Sequence, residues 1–477
     1  MTAAERTAVD RRRVVVAVLA ALALALAGCA APTPDDLSTR NAPPDPARDV
    51  LGWEGGYWHN ETLALDVADG LNETERDAVV TRAMARVEAI RRMEFDRDVP
   101  VTVESRAAFR ERIQGGTSTG GPSPARIQTD VSLEALFLVG ESASGAAEES
   151  ATTAQTVVGY YLPGEDRIVL VSERAAPDVR ESVLAHELVH ALQFRTFEMG
   201  YNASTREARN ARNAVVEGEA RYVDYLYRQR CGRSWTCVVP PERSATPGNG
   251  GDGGPHPGIA ILNYFPYSDG PAFVRAQREQ GGWAAVRALH GALPASTEQV
   301  ITPRLYGVDE PTAVRVPDRS SAAWDRLGTD GPGVSLGMPG ITAMLAYTAY
   351  DDHNASSVLA PTAIFEAPER AALDPLNYNS SYAAGWDGDR LRVYRDGERR
   401  GYVWRLAWDS PAEAREFARG YRRVLAHWGG RRVAGDTWVL DRGRFADAFR
   451  LTVRGETVTV VNAPTRGALA GVHAEAG

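Results

Sequence analysis

The stretch that most constrains this chain is Ala185–Gln193, which reads AHELVHALQ and sets two histidines four residues apart in an apolar run. On a helix, residues i and i+4 share a face, so His186 and His190 can offer two imidazoles to one metal ion. Glu187 would stand beside that metal, where a base that activates a water is needed. Because unpaired polar groups are costly in a core, this buried arrangement favours a metal site over two ordinary histidines.

A third protein ligand is expected downstream, since zinc commonly takes three protein ligands and leaves one position open to water. The segment Asn213–Tyr222 reads NAVVEGEARY and is predicted to be helical. Glu217 and Glu219 in this segment are two residues apart, about 200° around a helix, so only one of them can face the metal. Both are therefore candidate ligands.

H-E-x-x-H followed by a second helix with E-G-x-A resembles the gluzincin clan of zinc metallopeptidases, most closely its aminopeptidase branch. The resemblance implies an α+β fold with a zincin-like core, zinc as the cofactor, and Glu217 as the ligand that joins His186 and His190. It also implies that Glu187 takes a proton from the attacking water and passes it to the leaving amine. Gly218 favours Glu217, because a missing side chain lets the two ligand-bearing helices approach.

Two features separate the chain from the aminopeptidase branch: a longer stretch between His190 and Glu217, and Val216 where that branch has Asn. Over residues 51–460 the chain also resembles uncharacterised surface lipoproteins of halophilic archaea that carry H-E-x-x-H. This second resemblance implies a shared fold and clan, and it brings no known substrate.

The N-terminus has the pattern of an export signal. Arg11–Arg13 precede the apolar run Val14–Ala27, which is short for a bilayer span, and Leu26-Ala27-Gly28-Cys29 has the form of a lipoprotein box. We therefore predict a signal peptide over 1–28, lipid on Cys29, and a Pro-rich tether over 29–50. The mature chain would lie on the extracellular face of the cytoplasmic membrane. The alternative is an uncleaved anchor helix, which would also place the rest of the chain outside the cell.

Composition argues against nucleic acid as a partner. The net charge is −9, and all 53 strong bases are arginine. Besides Cys29, the chain has Cys231 and Cys237, which are close in sequence. In an oxidising compartment these two are expected to form a disulfide, with a metal-bound thiolate pair as the less favoured alternative.

Two folded regions are predicted after the tether: a metallopeptidase domain over 51–330 and a C-terminal α+β region over 331–477, read as β-β-α-β-β. An amphipathic helix is expected over 73–93, with Arg82 and Arg86 on its polar face, and a hairpin over 156–171. The two site helices are placed at 181–197 and 205–230. Residues 139–155 are rich in Gly, Ala, Ser and Glu and are interpreted as a mobile loop, and 240–257 as a loop or lid.

The expected function is that of a membrane-anchored zinc peptidase acting on a peptide or protein. One alternative is a degenerate peptidase that serves as a binding protein, and another is a structural lipoprotein without metal. The sequence leaves open the substrate and the choice between endo- and exo-cleavage. Gln193 can support a metal ligand or simply pack in the core. A donor that stabilises the transition state is also expected, with four candidates: Tyr222, His256, Tyr264 and Tyr267.

Overall fold

The computed structural model describes residues 43–65, 68–115, 123–178, 180–199, 203–238, 254–328, 333–353 and 355–475. The predicted signal peptide, the lipid attachment at Cys29, most of the tether and most of the 240–257 loop lie outside these residues. Among the helices that are described, none combines the length and the apolar character that crossing a bilayer requires.

Helices and strands are both abundant, which confirms the α+β class. The helices are α1 (Glu73–Arg91), α2 (Arg106–Gly115), α3 (Pro124–Ala135), α4 (Gly145–Thr156), α5 (Glu181–Thr196), α6 (Arg206–Arg228), α7 (Pro257–Leu289), α8 (Thr297–Ile301), α9 (Gly337–Tyr347), α10 (Pro411–His427) and α11 (Leu469–Val472). The strands are β1 (Trp53–Glu54), β2 (Tyr57–Trp58), β3 (Val101–Glu104), β4 (Gly159–Leu162), β5 (Arg167–Val171), β6 (Asp325–Arg326), β7 (Trp386–Asp396), β8 (Arg399–Trp408), β9 (Arg431–Ala434), β10 (Thr437–Val439), β11 (Ala448–Arg454) and β12 (Thr457–Ala463).

A small three-stranded sheet precedes the site helix α5. Its order is β3-β5-β4, with β3 parallel and β4 antiparallel to β5, and Tyr161 pairs with Ile168. The predicted hairpin is therefore present, and β4 forms an edge of the sheet. One apolar cluster joins this sheet to α1, α5 and α6. The sheet thus places an open strand edge next to the helix that carries H-E-x-x-H.

The C-terminal region is built on an antiparallel sheet of seven strands in the order β6-β7-β8-β12-β11-β10-β9. Ser410 caps α10 as its pattern predicts, by accepting a hydrogen bond from the Glu413 amide. The largest apolar cluster joins this sheet to α3, α6, α7, α9 and α10. The β-β-α-β-β interpretation was incomplete, because it omitted β9 and β11, which belong to the same sheet.

Two further expectations were wrong. Residues 139–155 are not a loop throughout, since α4 occupies Gly145–Thr156 and begins at a Ser144 cap. Arg82 and Arg86 are not on a solvated face of α1, because their side chains are 1% and 0% exposed. Both guanidinium groups instead bind Glu181, at 2.9 Å and 2.7 Å.

Glu181 lies in the first turn of α5 and connects that turn to α1 and α6. Its carboxylate is fully buried between the two α1 arginines, and it also accepts hydrogen bonds from the Tyr227 hydroxyl of α6 and the Val238 amide. Cys237, which forms a disulfide with Cys231 just after α6, lies 3.7 Å from the Arg86 guanidinium. One carboxylate therefore holds the relative positions of α1, α5 and α6.

We expect Glu181→Gln to destabilise the protein by about 3 kcal/mol, because it leaves two buried guanidinium groups short of a charged partner. Denaturant unfolding measures the loss. Glu198→Gln, at an exposed position just beyond the same helix, is the matched control and should stay close to wild type. Equal stability of the two variants would contradict the role given to Glu181.

Candidate metal centre

The structure brings His186, His190 and Glu217 together. α5 presents the two histidines from successive turns, and α6 supplies the glutamate. One ligand atom from each residue lies within 4.8 Å of the others. Glu217 Oε2 is 3.4 Å from His186 Nε2 and 3.2 Å from His190 Nε2. Two imidazole nitrogens and one carboxylate oxygen thus converge on one point between the helices.

The Glu217 carboxylate lies where the three side chains meet. Oε2 of Glu217 is buried and faces the Nε2 atoms of both histidines, at distances longer than a good hydrogen bond. A buried carboxylate is costly unless a cation or a proton compensates its charge. Two imidazoles and a carboxylate are a donor set that zinc takes in catalytic sites. The three residues therefore fit a metal ion of this kind.

The hydrogen bonds of Gln193 determine which ring nitrogen of His190 carries the proton. The Gln193 Nε2 group donates both to the Val216 carbonyl, at 3.0 Å, and to Glu219, at 2.9 Å. Its oxygen must then be the atom 2.9 Å from His190 Nδ1, so Nδ1 carries the proton and donates. In the neutral imidazole the lone pair of His190 is therefore on Nε2, the nitrogen that faces Glu217. A protein group that fixes the tautomer of a ligand histidine is a regular feature of metal sites.

Glu219 points away from the centre and has its own partners. Its carboxylate binds Arg91 of α1 and lies 2.6 Å from His290 Nε2, in addition to Gln193. Burial alone would raise the pKa of Glu219, but Arg91 and His290 outweigh it and lower that pKa to about 2. Glu219 is therefore a buried anion that supports Gln193, and through it His190, while Glu217 faces the histidines.

The charges at the centre are strongly coupled. Burial favours the neutral form of His190, but Glu217 outweighs it and raises the pKa of His190 to about 9. Burial likewise acts to raise the pKa of Glu217, yet the two histidines hold it well below its usual range. In the absence of a metal, positive charge on His190 stabilises the Glu217 carboxylate. A metal dication at the same point would replace that positive charge.

Glu187 lies beside this cluster and is 6% exposed. Burial raises its pKa, against the opposing effect of His186 and His190. Its carboxylate accepts a hydrogen bond from the backbone of Tyr161 in β4. A buried carboxylate whose pKa is raised is suited to accept and return a proton. The same contact fixes Glu187 against the edge strand.

Of the four candidate donors, the structure brings Tyr267 to the centre. Its ring stacks near His186, with 6.2 Å between the ring centres, and its hydroxyl forms a hydrogen bond with Glu217. Tyr264 stacks on Tyr267 one turn away. The other two have different partners: Tyr222 accepts a hydrogen bond from Arg278, and His256 caps the start of α7.

Gly218 has a different role from the expected one. A Cβ at Gly218 would lie 2.5 Å from the Gly270 carbonyl carbon of α7, and a Cβ at Gly270 would lie 2.5 Å from the Ala214 carbonyl oxygen. The missing side chain therefore brings α6 against α7, and not against α5. This crossing matters to the site, since Tyr267 lies one turn before Gly270.

Sequence reasoning did not find Arg91 and His290, the partners of Glu219. Arg91 belongs to a helix whose arginines were expected to face solvent, and His290 lies directly after α7, far from the motif in sequence. The sequence contained little that could have indicated His290. It is one of eight histidines in the chain, and it lies outside the H-E-x-x-H motif.

Comparison with known proteins gives one match, to a family described as a domain of unknown function (DUF8575), over residues 326–473. The match covers the C-terminal sheet and its helices and does not include the His186, His190 and Glu217 cluster. No curated protein and no solved structure matches the chain.

We expect Gly218→Ala to destabilise the protein by ~1–3 kcal/mol, because the added methyl group meets backbone atoms that no side-chain rotation can move away. Thermal or denaturant unfolding is the measurement. Gly164→Ala, at a turn position where a Cβ meets nothing within 4 Å, is the matched control. If both variants unfold like wild type, the close α6–α7 crossing is absent in solution.

Proposed function

We propose that this chain is a zinc-dependent peptidase with a zincin-like core, of the type that its motifs resemble. One observation carries the proposal: the buried Oε2 of Glu217 converges with the Nε2 atoms of His186 and His190 on one point, beside the buried Glu187. The three ligand residues would hold zinc and leave one position for water. When bound, zinc would supply Lewis acidity toward the water and the scissile carbonyl.

The protein's own residues would carry the proton. Glu187 accepts the proton of the attacking water and returns it to the amine that leaves. Tyr267, next to His186 and Glu217, is the candidate donor to the oxyanion that forms at the carbonyl.

The edge strand β4 offers a place for the substrate. β4 is paired on one side with β5, and its Tyr161 backbone contacts Glu187. An extended peptide that adds to a free strand edge gains main-chain hydrogen bonds that do not depend on its sequence. This arrangement favours a peptide or protein substrate that lies along β4 with its scissile bond at Glu187.

The proposed location follows from the sequence alone. Export and lipid attachment at Cys29 would place the peptidase on the outer face of the cytoplasmic membrane, and the Cys231–Cys237 disulfide is compatible with an oxidising compartment. The substrates would then be extracellular or surface polypeptides.

Glu187→Gln tests the proposed chemistry. The amide cannot accept the proton of the water, so we expect hydrolysis of a mixed peptide library to fall by on the order of a hundredfold or more. The zinc content of the variant should remain at the wild-type level. Unchanged turnover would rule out this mechanism, and a wild-type protein that binds zinc but cleaves nothing would favour the binding-protein alternative.

Glu217→Ala and Glu219→Gln separate the two glutamates. We expect Glu217→Ala to lose most of the bound zinc, because a ligand is removed. Glu219→Gln should keep zinc and lose stability, by about 3 kcal/mol, because Arg91 loses its buried charged partner. Zinc analysis and denaturant unfolding of both variants give the answer. The reverse result would make Glu219 the ligand.

A further inference from the structure

The outer face of the C-terminal sheet, opposite α10, carries a cleft of about 610 Å³. Alternate residues of a strand face opposite sides of its sheet. Leu451 and Val460 belong to the apolar cluster on the α10 side, whereas Thr452 and Thr459 pair across β11 and β12 and line the cleft. Sites for small molecules typically measure about 300 to 1,000 Å³, so the cleft has the size of a ligand site.

Positive charge prevails in this cleft. Five arginines and two acidic residues line it. Of the two acids, Asp436 is already bound by Arg422 of α10 at 2.6 Å, and Glu475 is 72% exposed. The cleft therefore has an excess of positive charge, in a chain whose net charge is −9. The five arginines are Arg319, Arg405, Arg450, Arg454 and Arg466.

Backbone carbonyls hold two of these arginines in place. Arg405 donates to the Arg315 carbonyl at 3.1 Å, and Arg450 donates to the His473 carbonyl. Burial lowers the pKa of Arg450, whose guanidinium lies 3.5 Å from the exposed Glu475. A guanidinium has five N–H groups, so both side chains are oriented and still keep donors for a ligand.

His473 adds an independent observation at the same cleft. It is 8% exposed, and its Nδ1 is buried without a hydrogen-bond partner. Burial and three nearby positive charges lower the pKa of His473 to about 4, so the imidazole is neutral at pH 7. These charges belong to Arg319, Arg405 and Arg450. A buried ring nitrogen without a partner is costly, and an anion among the arginines would compensate the positive charge around the ring.

The lining also indicates which kind of anion fits. Within the described residues no Trp, Tyr or Phe lines the cleft, so a nucleic-acid base would find no ring to stack on. The threonines of the lining place hydroxyl donors beside the guanidinium groups. Arginine and hydroxyl donors suit phosphate oxygens. A phosphate monoester carries roughly −1.5 to −2 charges at pH 7, which matches the excess of arginine better than a single carboxylate does.

We propose that this cleft binds the phosphate monoester group of a small, non-aromatic organic molecule. Arg405 and Arg450 bind the phosphate oxygens, and the apolar side chains of Val403 and Leu469 contact the organic part. The proposal does not depend on the proposed peptidase function, because none of the residues of the metal centre lines the cleft.

Isothermal titration of the full-length protein with glycerol phosphate tests the proposal. We expect one equivalent to bind per chain. Glycerate, with a carboxylate in place of the phosphate, should bind about tenfold more weakly or worse. Glu217→Ala should bind glycerol phosphate like wild type, which distinguishes the cleft from phosphate bound at the metal centre. Absent binding, equal binding of glycerate, or a loss of binding in Glu217→Ala would overturn the proposal.

Three arginine variants locate the binding. Arg405→Gln should weaken it about tenfold or more, because charge-assisted hydrogen bonds are lost. Arg454→Gln removes an exposed guanidinium of the same cleft, so it should fold normally and still weaken binding. Arg419→Gln, exposed on α10 on the other side of the sheet, is the matched control and should bind like wild type. Equal losses in all three variants would show that binding follows net charge alone and would refute the site.

Nuclear magnetic resonance of the histidine rings gives a second readout. Glycerol phosphate should shift the ring signals of His473 and leave those of His427, which binds Asp351, in place. Unchanged His473 signals in a protein that binds the ligand would place the site elsewhere.

Vesicles with and without phosphatidic acid identify the source of the phosphate. If phosphatidic acid increases vesicle binding of wild type and not of Arg405→Gln, the phosphate belongs to a lipid headgroup. Equal binding to both kinds of vesicle, with glycerol phosphate still bound, assigns it to a soluble ester.

Discussion

The proposed centre depends on the ion pairs of three buried arginines of α1, Arg82, Arg86 and Arg91. Arg82 and Arg86 bind Glu181 at the start of α5, and Arg91 binds Glu219 in the middle of α6. A buried ion pair adds little net stability, but removing one partner is costly, so such pairs fix geometry. Here they fix the two helices that bring the histidines and Glu217 together, with Arg91 also stacked over Trp283.

These buried contacts hold the helices of the proposed centre in place before any metal binds. From Arg91 a continuous set of contacts runs through Glu219 and Gln193 to Nδ1 of His190. Gln193 sets the orientation and tautomer of His190, so Nε2 already faces Glu217 and needs only to lose its proton to act as a ligand. On the other side, the α6–α7 crossing at Gly218 and Gly270 sets the position of Tyr267. A metal ion would thus meet ligands whose orientations are already determined by buried contacts.

Local pattern was enough to predict the elements that carry the site, and not enough to predict how they pack. The apolar periodicity placed α5 and α6 within two residues at each end, and the Ser410 cap placed α10. The prediction of a loop over 139–155 was wrong because it rested on the Gly and Ser residues. The Ala and Glu residues of this segment favour a helix, and Ser144 caps its start. The prediction that Arg82 and Arg86 face solvent was wrong for another reason. A charge pattern in the sequence does not show which charged side chains will form buried ion pairs. Gly218 was correctly singled out, but sequence gave no means of pairing it with Gly270.

The C-terminal region also contributes to the centre, through the start of α6. The Glu207 amide, in the first turn of α6, donates to the Ser335 carbonyl at 3.2 Å. The Glu207 carboxylate accepts from both the amide and the hydroxyl of Thr297 in α8. Ser335 belongs to the part of the chain that the family match covers, and α6 is the helix that presents Glu217. Because residues on both sides of position 330 also share the largest apolar cluster, the C-terminal sheet supports the α6 end of the proposed site through a shared core.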